Sequence, residues 1–342
     1  MHMADALISP AVAGTMYACS ALTAAYSMKQ ARRDDNPRLA PTMGVMGAFV
    51  FAAQMINFTI PGTGSSGHLC GGMLLSGMLG PHAGFLTMIA ILLIQCLIFA
   101  DGGLLALGCN VWNMAAYGCF VGGLLIWRGV MRNGVSRKKI LAASVLGSVV
   151  SLQLGAFSVT LETALSGVTE LPFPVFLAAM LPIHLVIGLV EGLITAAVLT
   201  FVYEARPELL WTGETARLET ESKRGLLSRK GALGALLAAA IVTAGGLSLL
   251  ASAFPDGLEW SIQRLTGSTE LEASGGAAAL AERIQNATAV LPDYAFPGSG
   301  SALGTTVSGL AGGAIVIALC LAVGYLPRLF RHKNRSVTGL KP

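Results

Sequence analysis

Long apolar runs, separated by short polar or charged stretches, dominate the chain. A bilayer core needs about 20 apolar residues per helix, fewer where protein covers the helix. The pattern therefore predicts spans at about 6–28, 42–60, 69–80, 84–100, 104–127, 140–165, 174–203, 231–253 and 304–326. The third, LCGGMLLSGMLG, is short enough to be a half-span continued by the loop before it. The expected fold class is all-α. Residues 1–203 form a polytopic transmembrane bundle of seven spans, residues 204–230 a polar linker, and residues 231–342 a two-helix transmembrane hairpin around a large outer loop, 254–303. No internal repeat is evident.

Composition removes the soluble alternatives. Of 342 residues, 54% are hydrophobic and 12% charged, against about 25% charged in an average soluble domain. The 42 glycines suit close helix packing in lipid. A soluble enzyme, a nucleic-acid-binding module and a disordered tail all fit poorly. The six cysteines, Cys19, Cys70, Cys96, Cys109, Cys119 and Cys320, lie in or beside apolar runs without a CxxC. They read as small buried hydrophobes, not a disulfide framework.

The position of the charges matters more than the net +4. The first apolar run has no basic residue ahead of it; Lys29, Arg32, Arg33 and Arg38 follow it. That is the reverse of a secretory signal peptide. It predicts an uncleaved first span with Met1 as a free, extracytoplasmic chain end. On this map the inner segments are 29–41, 81–83, 128–139, 204–230 and 327–342. They hold all of the 22 basic residues except Arg264 and Arg283, which lie in the outer loop. The positive-inside rule is obeyed. Omitting the short third span would invert everything after it, so parity favours keeping it. The expected location is the cell's inner (plasma) membrane.

Candidate chemistry is confined to few residues. The histidines are His2, His68, His82, His184 and His332. A free Met1 amine, the His2 amide nitrogen and the His2 imidazole can wrap one metal in fused five- and six-membered rings. Near-planar nitrogen coordination suits Ni2+ or Cu2+ and, with less preference, Co2+; the metal itself drives loss of the amide proton. The plain alternative is a polar residue at a frayed end. His68 lies in PGTGSSGHLCGG, residues 61–72, on the same side as Met1. A Gly-rich loop can fold back into protein at membrane depth, where His68 would fill the fourth position or simply bond loop carbonyls. Asp5, Asp101 and Asn110 fall near the same mouth, either orienting the ligands or capping helices. His184 and Glu191, seven apart, share a helix face; an intramembrane ionisable pair is a functional suspect, and mutual pairing is the favoured reading. His82 falls on the inner side and is given no metal role. His332 reads as part of a basic anchor.

Four separated segments resemble the CbiM/NikM family, the metal-binding S components of cobalt and nickel energy-coupling-factor (ECF) transporters. They are MHMADALISP at 1–10, GSSGHLCGG at 64–72, FADGGLLALGCNVWNMA at 99–115 and PIHLVIGLVEGLIT at 182–195. FPDGLEW at 254–260 resembles the signature of the small CbiN/NikN component, so the chain looks like a fusion of the two. The resemblance implies a metal site made of the Met1 amine, the His2 amide and imidazole nitrogens and the His68 imidazole. It implies Co2+ or Ni2+ as transported substrate, in a system serving nickel uptake or cobalt uptake for cobalamin biosynthesis. It implies a transmembrane coupling (T) subunit and cytoplasmic ATPase subunits as partners, with ATP used by those partners only and no organic cofactor. In the family the loaded bundle topples to release metal inside, and the N part acts on metal access or on the loop closing the site. Where many relatives read His-Ile-Pro-Asp-Gly or His-Ile-Met-Glu-Gly, this chain reads His2-Met3-Ala4-Asp5-Ala6; the chelating atoms are untouched.

Two other classes fit the sequence less well. An intramembrane metalloenzyme lacks HExxH or any one-span His/Asp cluster, and the planar chelate leaves no open position for water. A stand-alone ion-coupled carrier would show paired broken helices at mid-membrane, and only residues 61–72 interrupt a span. The chain holds no GxxxxGK[ST] phosphate loop, so ATP-driven uptake would need other subunits.

Overall fold

The structure, a computed structural model, describes residues 1–33, 36, 38–212, 225–273, 275–298 and 301–337, the last twelve by their backbone only. The linker core, 213–224, and the His332 side chain lie outside the described residues. Eleven helices are described: α1 (Pro10–Ala31), α2 (Leu39–Gln54), α3 (Gly72–Leu79), α4 (Pro81–Phe99), α5 (Leu107–Met131), α6 (Arg137–Ser166), α7 (Phe173–Ala205), α8 (Arg229–Gly245), α9 (Gly257–Thr266), α10 (Gly276–Thr288) and α11 (Ala302–Val337). Within α5 the stretch Val111–Trp127 is π-helical.

The all-α expectation holds, with the chain crossing the membrane several times. Among the described residues α4, α5, α6, α7 and Ala302–Tyr325 of α11 are long and apolar enough to span. Four expected spans fall short of that standard, each for a local reason. Ser, Thr, Tyr and Lys dilute α1. Pattern placed its start near residue 6, but the helix begins at Pro10 behind the Ser9 N-cap, and residues 1–9 instead run as buried extended chain and one 3-10 turn. The predicted 42–60 span stops at Gln54. The apolar residues beyond it form β1 (Phe58–Ile60), which pairs antiparallel with β2 (Ser65–Gly67) in the register Phe58↔Gly67, Thr59↔Ser66 and Ile60↔Ser65. Gly62 and Gly64, both at positive φ, make the turn. α3 has eight residues, about 12 Å of rise. α8 has 17 residues and opens on Arg229 and Lys230.

The short α3 carries the chain from mid-depth to the opposite end of the bundle. Its N-terminal neighbour Cys70 bonds Glu191, midway along α7. At its other end Trp211, beyond the foot of α7, donates its N–H to the Gly77 carbonyl and accepts from Trp127 Nε1 at the foot of α5. Gly80, at φ 80°, turns the chain directly into α4. The depth that α3 lacks is filled by residues 61–71, folded inward.

Small residues set the packing. A Cβ on Gly72 would lie 2.9 Å from the Met114 carbonyl and 3.0 Å from the Gly118 Cα, so α3 and α5 touch backbone to backbone. Gly188 and Gly192 of α7 meet the Cα atoms of Val149 and Val145 on α6 in the same way. α1 buries only Ala13, Ser20 and Ser27 along its length. α8 and α11 flank α2: Ala244 of α8 sits against Gly309 of α11, and Phe51 of α2 against Gly312. The described residues of the expected outer loop, 254–273, 275–298 and 301–303, include α9 and α10, which lie over the mouth of the bundle.

Candidate metal centre

The first three residues thread into the bundle mouth because backbone groups there are claimed. Asn110 on α5 grips Met3 at both ends of its peptide unit, accepting from Met3 N at 2.7 Å and donating to Met3 O at 3.1 Å. Gly103 N also donates to Met3 O, at 2.8 Å. Met3 is fully buried. Asp5 does not reach the predicted ligands. Its Oδ1 accepts from Ala106 N at 3.0 Å, and its role is to pin the turn.

Met1, His2 and His68 come together. The Met1 amine lies 2.9 Å from His68 Nε2, and the His2 and His68 rings stack with centroids 5.3 Å apart. His2 Nδ1 faces Asp101 Oδ1 at 3.1 Å, and His2 Nε2 lies 3.2 Å from Gln95 Oε1. Gln95 donates to Gln54 at 2.8 Å, which donates to the Cys70 carbonyl at 2.7 Å. A buried amide relay thus ties the two halves of the site through α4 and α2. Asp101 is aimed by Ala100, a non-glycine residue at φ 56°, a conformation costing about 1–2 kcal/mol. Tyr294 donates to Asp101 Oδ2 at 2.6 Å.

His68 is held from beneath. Both oxygens of buried Glu191 accept loop N–H groups, Cys70 N at 2.7 Å and Gly71 N at 3.1 Å. His184 makes no contact with Glu191, contrary to the expected pairing. Glu191 is consumed by the loop backbone, and His184 Nδ1 bonds the Met180 carbonyl of its own helix at 2.8 Å. His82 lies at the opposite end, 3.3 Å from Ser27 Oγ and edge-on to Tyr26.

Asp256, in FPDGLEW, is the residue that spacing could not place. Its Oδ1 caps α9, accepting from Leu258 N at 2.8 Å and Glu259 N at 3.0 Å, while Glu259 returns a bond to the Asp256 N–H at 2.9 Å. Its Oδ2 is free to turn inward, and accepts from the Met1 amine at 2.5 Å. The loop carrying His68 is stitched to the same segment: Ser66 N donates to Pro255 O at 2.8 Å, Ser66 Oγ to Phe254 O at 2.7 Å, and Trp260 Nε1 to Thr63 O at 2.9 Å.

These contacts set the charges. Burial opposes an ammonium at Met1, but the Asp256 carboxylate outweighs it by charge and hydrogen bond, and Asp101 adds to this; the amine's pKa is raised above its ordinary 8.0. Burial would raise Asp256, but the Met1 ammonium, with help from His68, holds it well below the usual carboxylate range. Burial brings His2 down to about 4 against the pull of Asp101, so the ring is neutral at pH 7 and its one N–H faces an acceptor on either side, Asp101 Oδ1 or Gln95 Oε1.

Two cavities meet at this cluster. The outer one, about 650 Å³, has His2, His68, Asp101, Asp256, Glu259 and Glu282 in its wall. The inner one, about 10 Å³, is bounded by Met1, His68, Cys70, His184, Asp256 and Gly257 among others. Among the described residues no three His, Cys, Asp or Glu side chains converge as a metal cage; beside the Met1 amine stand the His2 and His68 imidazoles.

A multi-pass helical bundle with a polar pocket sunk in its mouth has the architecture of a membrane transport component. The chain belongs to the CbiM family, described as the cobalt uptake substrate-specific transmembrane region, which matches residues 2–209; a PDGLE domain matches residues 230–329. It is similar to the putative fused nickel transport protein NikMN of Archaeoglobus fulgidus, with 34% identity over 323 residues, 94% of this chain and 98% of that protein. It is also similar to the cobalt transport protein CbiM of Geobacter sulfurreducens, with 30% identity over 220 residues, 61% of each chain. A crystal structure of a truncated transition metal transporter superimposes with a TM-score of 0.53 at 31% identity, covering 60% of this chain and 99% of that one. The protein is thus a membrane component of a metal transporter, not an enzyme.

Proposed function

We propose that this chain is the substrate-capturing component of an ECF-type transporter, taking Ni2+ or Co2+ at its extracytoplasmic face. The observation that supports this most is the convergence of the Met1 amine, His2 and His68 beneath the acid-lined cavity. In this reading the ion is held by the Met1 amine, the His2 amide nitrogen, His2 Nδ1 and His68 Nε2. Nδ1 is the ring nitrogen that closes a six-membered chelate with its own amide. Asp101 faces it in this structure, so capture exchanges that contact for the metal, and the Met1 ammonium surrenders its proton and its bond to Asp256. Four nitrogens near one plane lean towards nickel over cobalt. The carboxylates of the outer cavity raise the local concentration of cations.

ATP enters through a coupling subunit and cytoplasmic ATPases, since this chain carries no phosphate loop. The N-terminus lies outside and the protein sits in the inner (plasma) membrane, the placing favoured by the basic residues. Uptake of labelled Ni2+ is measured in cells producing this chain alone, with its coupling and ATPase subunits, and with an ATPase variant unable to hydrolyse ATP. Uptake is expected only in the second case; equal uptake by the chain alone would make it a carrier driven by an ion gradient.

A further inference from the structure

His184 is 1% exposed, deep in the bundle on α7. A carbonyl only accepts, so the bond from Nδ1 to the Met180 carbonyl, at 2.8 Å, places the ring's proton on Nδ1. Nε2 then carries a lone pair, and this atom has no hydrogen-bond partner. An orphaned buried acceptor costs about 1–3 kcal/mol, and native structures rarely leave one without a reason. His184 lines the 10 Å³ cavity together with Met1, His68 and Asp256. That volume is about one probe sphere, room for a single ion or water. The Gly257 backbone packs closely on the His184 ring. A Cβ on Gly257 would stand 3.0 Å from His184 Cε1, 3.3 Å from Nε2 and 2.9 Å from Ile187 Cδ1. Other groups facing the cavity are already engaged. Cys70 Sγ donates to the Met114 carbonyl at 3.4 Å, and Met114, Leu152 and Ile187 close the floor with apolar surface.

His68 and Asp256 border both cavities, whereas His2 lines only the outer and Met1 only the inner. The cluster therefore has an outer side and an inner side. We infer that His184 Nε2 is a further nitrogen donor to the transported divalent cation, approaching from the inner side, out of the plane of the other four nitrogens. A borderline first-row cation accepts such an imidazole readily, and a hard cation such as Mg2+ does not. The inference rests on the reading that the ion binds at Met1, His2 and His68.

The test uses the full-length purified chain. Ni2+ affinity and the ligand-field absorption of the bound ion are measured for the native protein, for His184→Leu, and for a chain extended by one residue before Met1. Coupled imidazole nitrogens are counted by hyperfine spectroscopy on the Cu2+-loaded proteins. His184→Leu is expected to bind at least about tenfold more weakly, with a shifted absorption and one imidazole fewer. His184→Gln, which keeps a polar side chain of similar size and removes the imidazole, is expected to lower the nitrogen count by one in the same way; it decides the matter if His184→Leu does not fold. Unchanged affinity, absorption and nitrogen count at His184 overturn the inference, the cavity then holding water only. If extension abolishes binding while His184→Leu does not weaken it, the chelate stands and the inference falls. If His184→Leu weakens binding while extension does not, His184 stands and the amine ligand falls.

Discussion

The bundle and the outer hairpin approach the same cluster by different means. From the bundle, side chains reach it on rigid helices and are locked by buried partners: Gln95 through Gln54 to Cys70, Asn110 on Met3, and Glu191 on two loop N–H groups. From the hairpin comes one carboxylate, Asp256, at the tip of the ten-residue helix α9. Residues that must hold an ion in fixed geometry are on the part with many buried contacts. The part that touches the amine and the His68 loop is short and amphipathic, burying Leu258, Ser261 and Ile262 and exposing Glu259, Gln263, Arg264 and Thr266. The difference separates holding from admitting. Asp256 occupies the amine, and in the proposed site it must let go before the amine coordinates.

Breaking the holding side produces the largest effect. One residue added before Met1 turns the amine into an amide and moves the charged nitrogen away, and Ni2+ affinity is expected to fall more than about 100-fold with the melting temperature little changed. A tagged protein binding as tightly as the untagged one would remove the amine from the site. His68→Ala is next, with a loss of about 10- to 100-fold and a shifted absorption as another ligand replaces the ring; an unchanged spectrum would mean that His68 is not a ligand.

The admitting side is probed by proton competition. Coordination requires a neutral amine, and Asp256 holds the amine protonated with a pKa above 8.0. Affinity should therefore rise with pH through 8 and beyond, and be weakest on the acid side. His2, neutral above about 4, adds no pH dependence near neutrality. Asp256→Asn keeps the helix cap and removes the charge, so the whole profile should shift to lower pH. A shift of about one unit would tighten binding at pH 7 up to about tenfold. A profile that stays in place would show that Asp256 does not govern the amine. In cells the same variant tests whether releasing the amine early helps or harms uptake.

The smallest effect is expected at the rim. Glu270 and Glu282 line the outer cavity without touching Met1, His2 or His68. Converting both to Gln should slow Ni2+ association about two- to tenfold at low salt, leave dissociation unchanged, and flatten the salt dependence. Equal loss in the dissociation rate would place them at the bound ion.

Several features of this arrangement are legible in the chain before it folds, and others are not. The apolar runs and the basic residues announce a multi-pass helical membrane protein, since lipid imposes length and apolarity on each span. Met1, His2 and His68 stand out because so few histidines exist and because amine, amide and imidazole adjoin within two residues. Gln95, alone in the apolar run ILLIQCLIF, was a readable signal that went unused. Asp256 had its motif, but nothing in a local pattern connects residue 256 to residue 1. Glu191 and His184 invited a mutual pairing because helix periodicity records only which face a residue occupies, not which loop folds onto that face.

By itself the sequence determined what lipid and local covalent geometry enforce: a chain of apolar helices that crosses the membrane several times, the clustering of its basic residues, and the adjacency of amine, amide and imidazole in the first two residues. Tertiary structure decided what depends on distant segments meeting. It bent residues 55–71 into a hairpin and re-entrant loop, gave Glu191 to that loop in place of His184, and left His184 Nε2 unpartnered beside a small cavity. It also delivered Asp256 across 255 positions of chain to the Met1 amine. Those outcomes follow from which buried polar groups find partners first. A buried N–H, carboxylate or ammonium must be satisfied by whatever the packing brings within reach, and sequence spacing does not encode that competition.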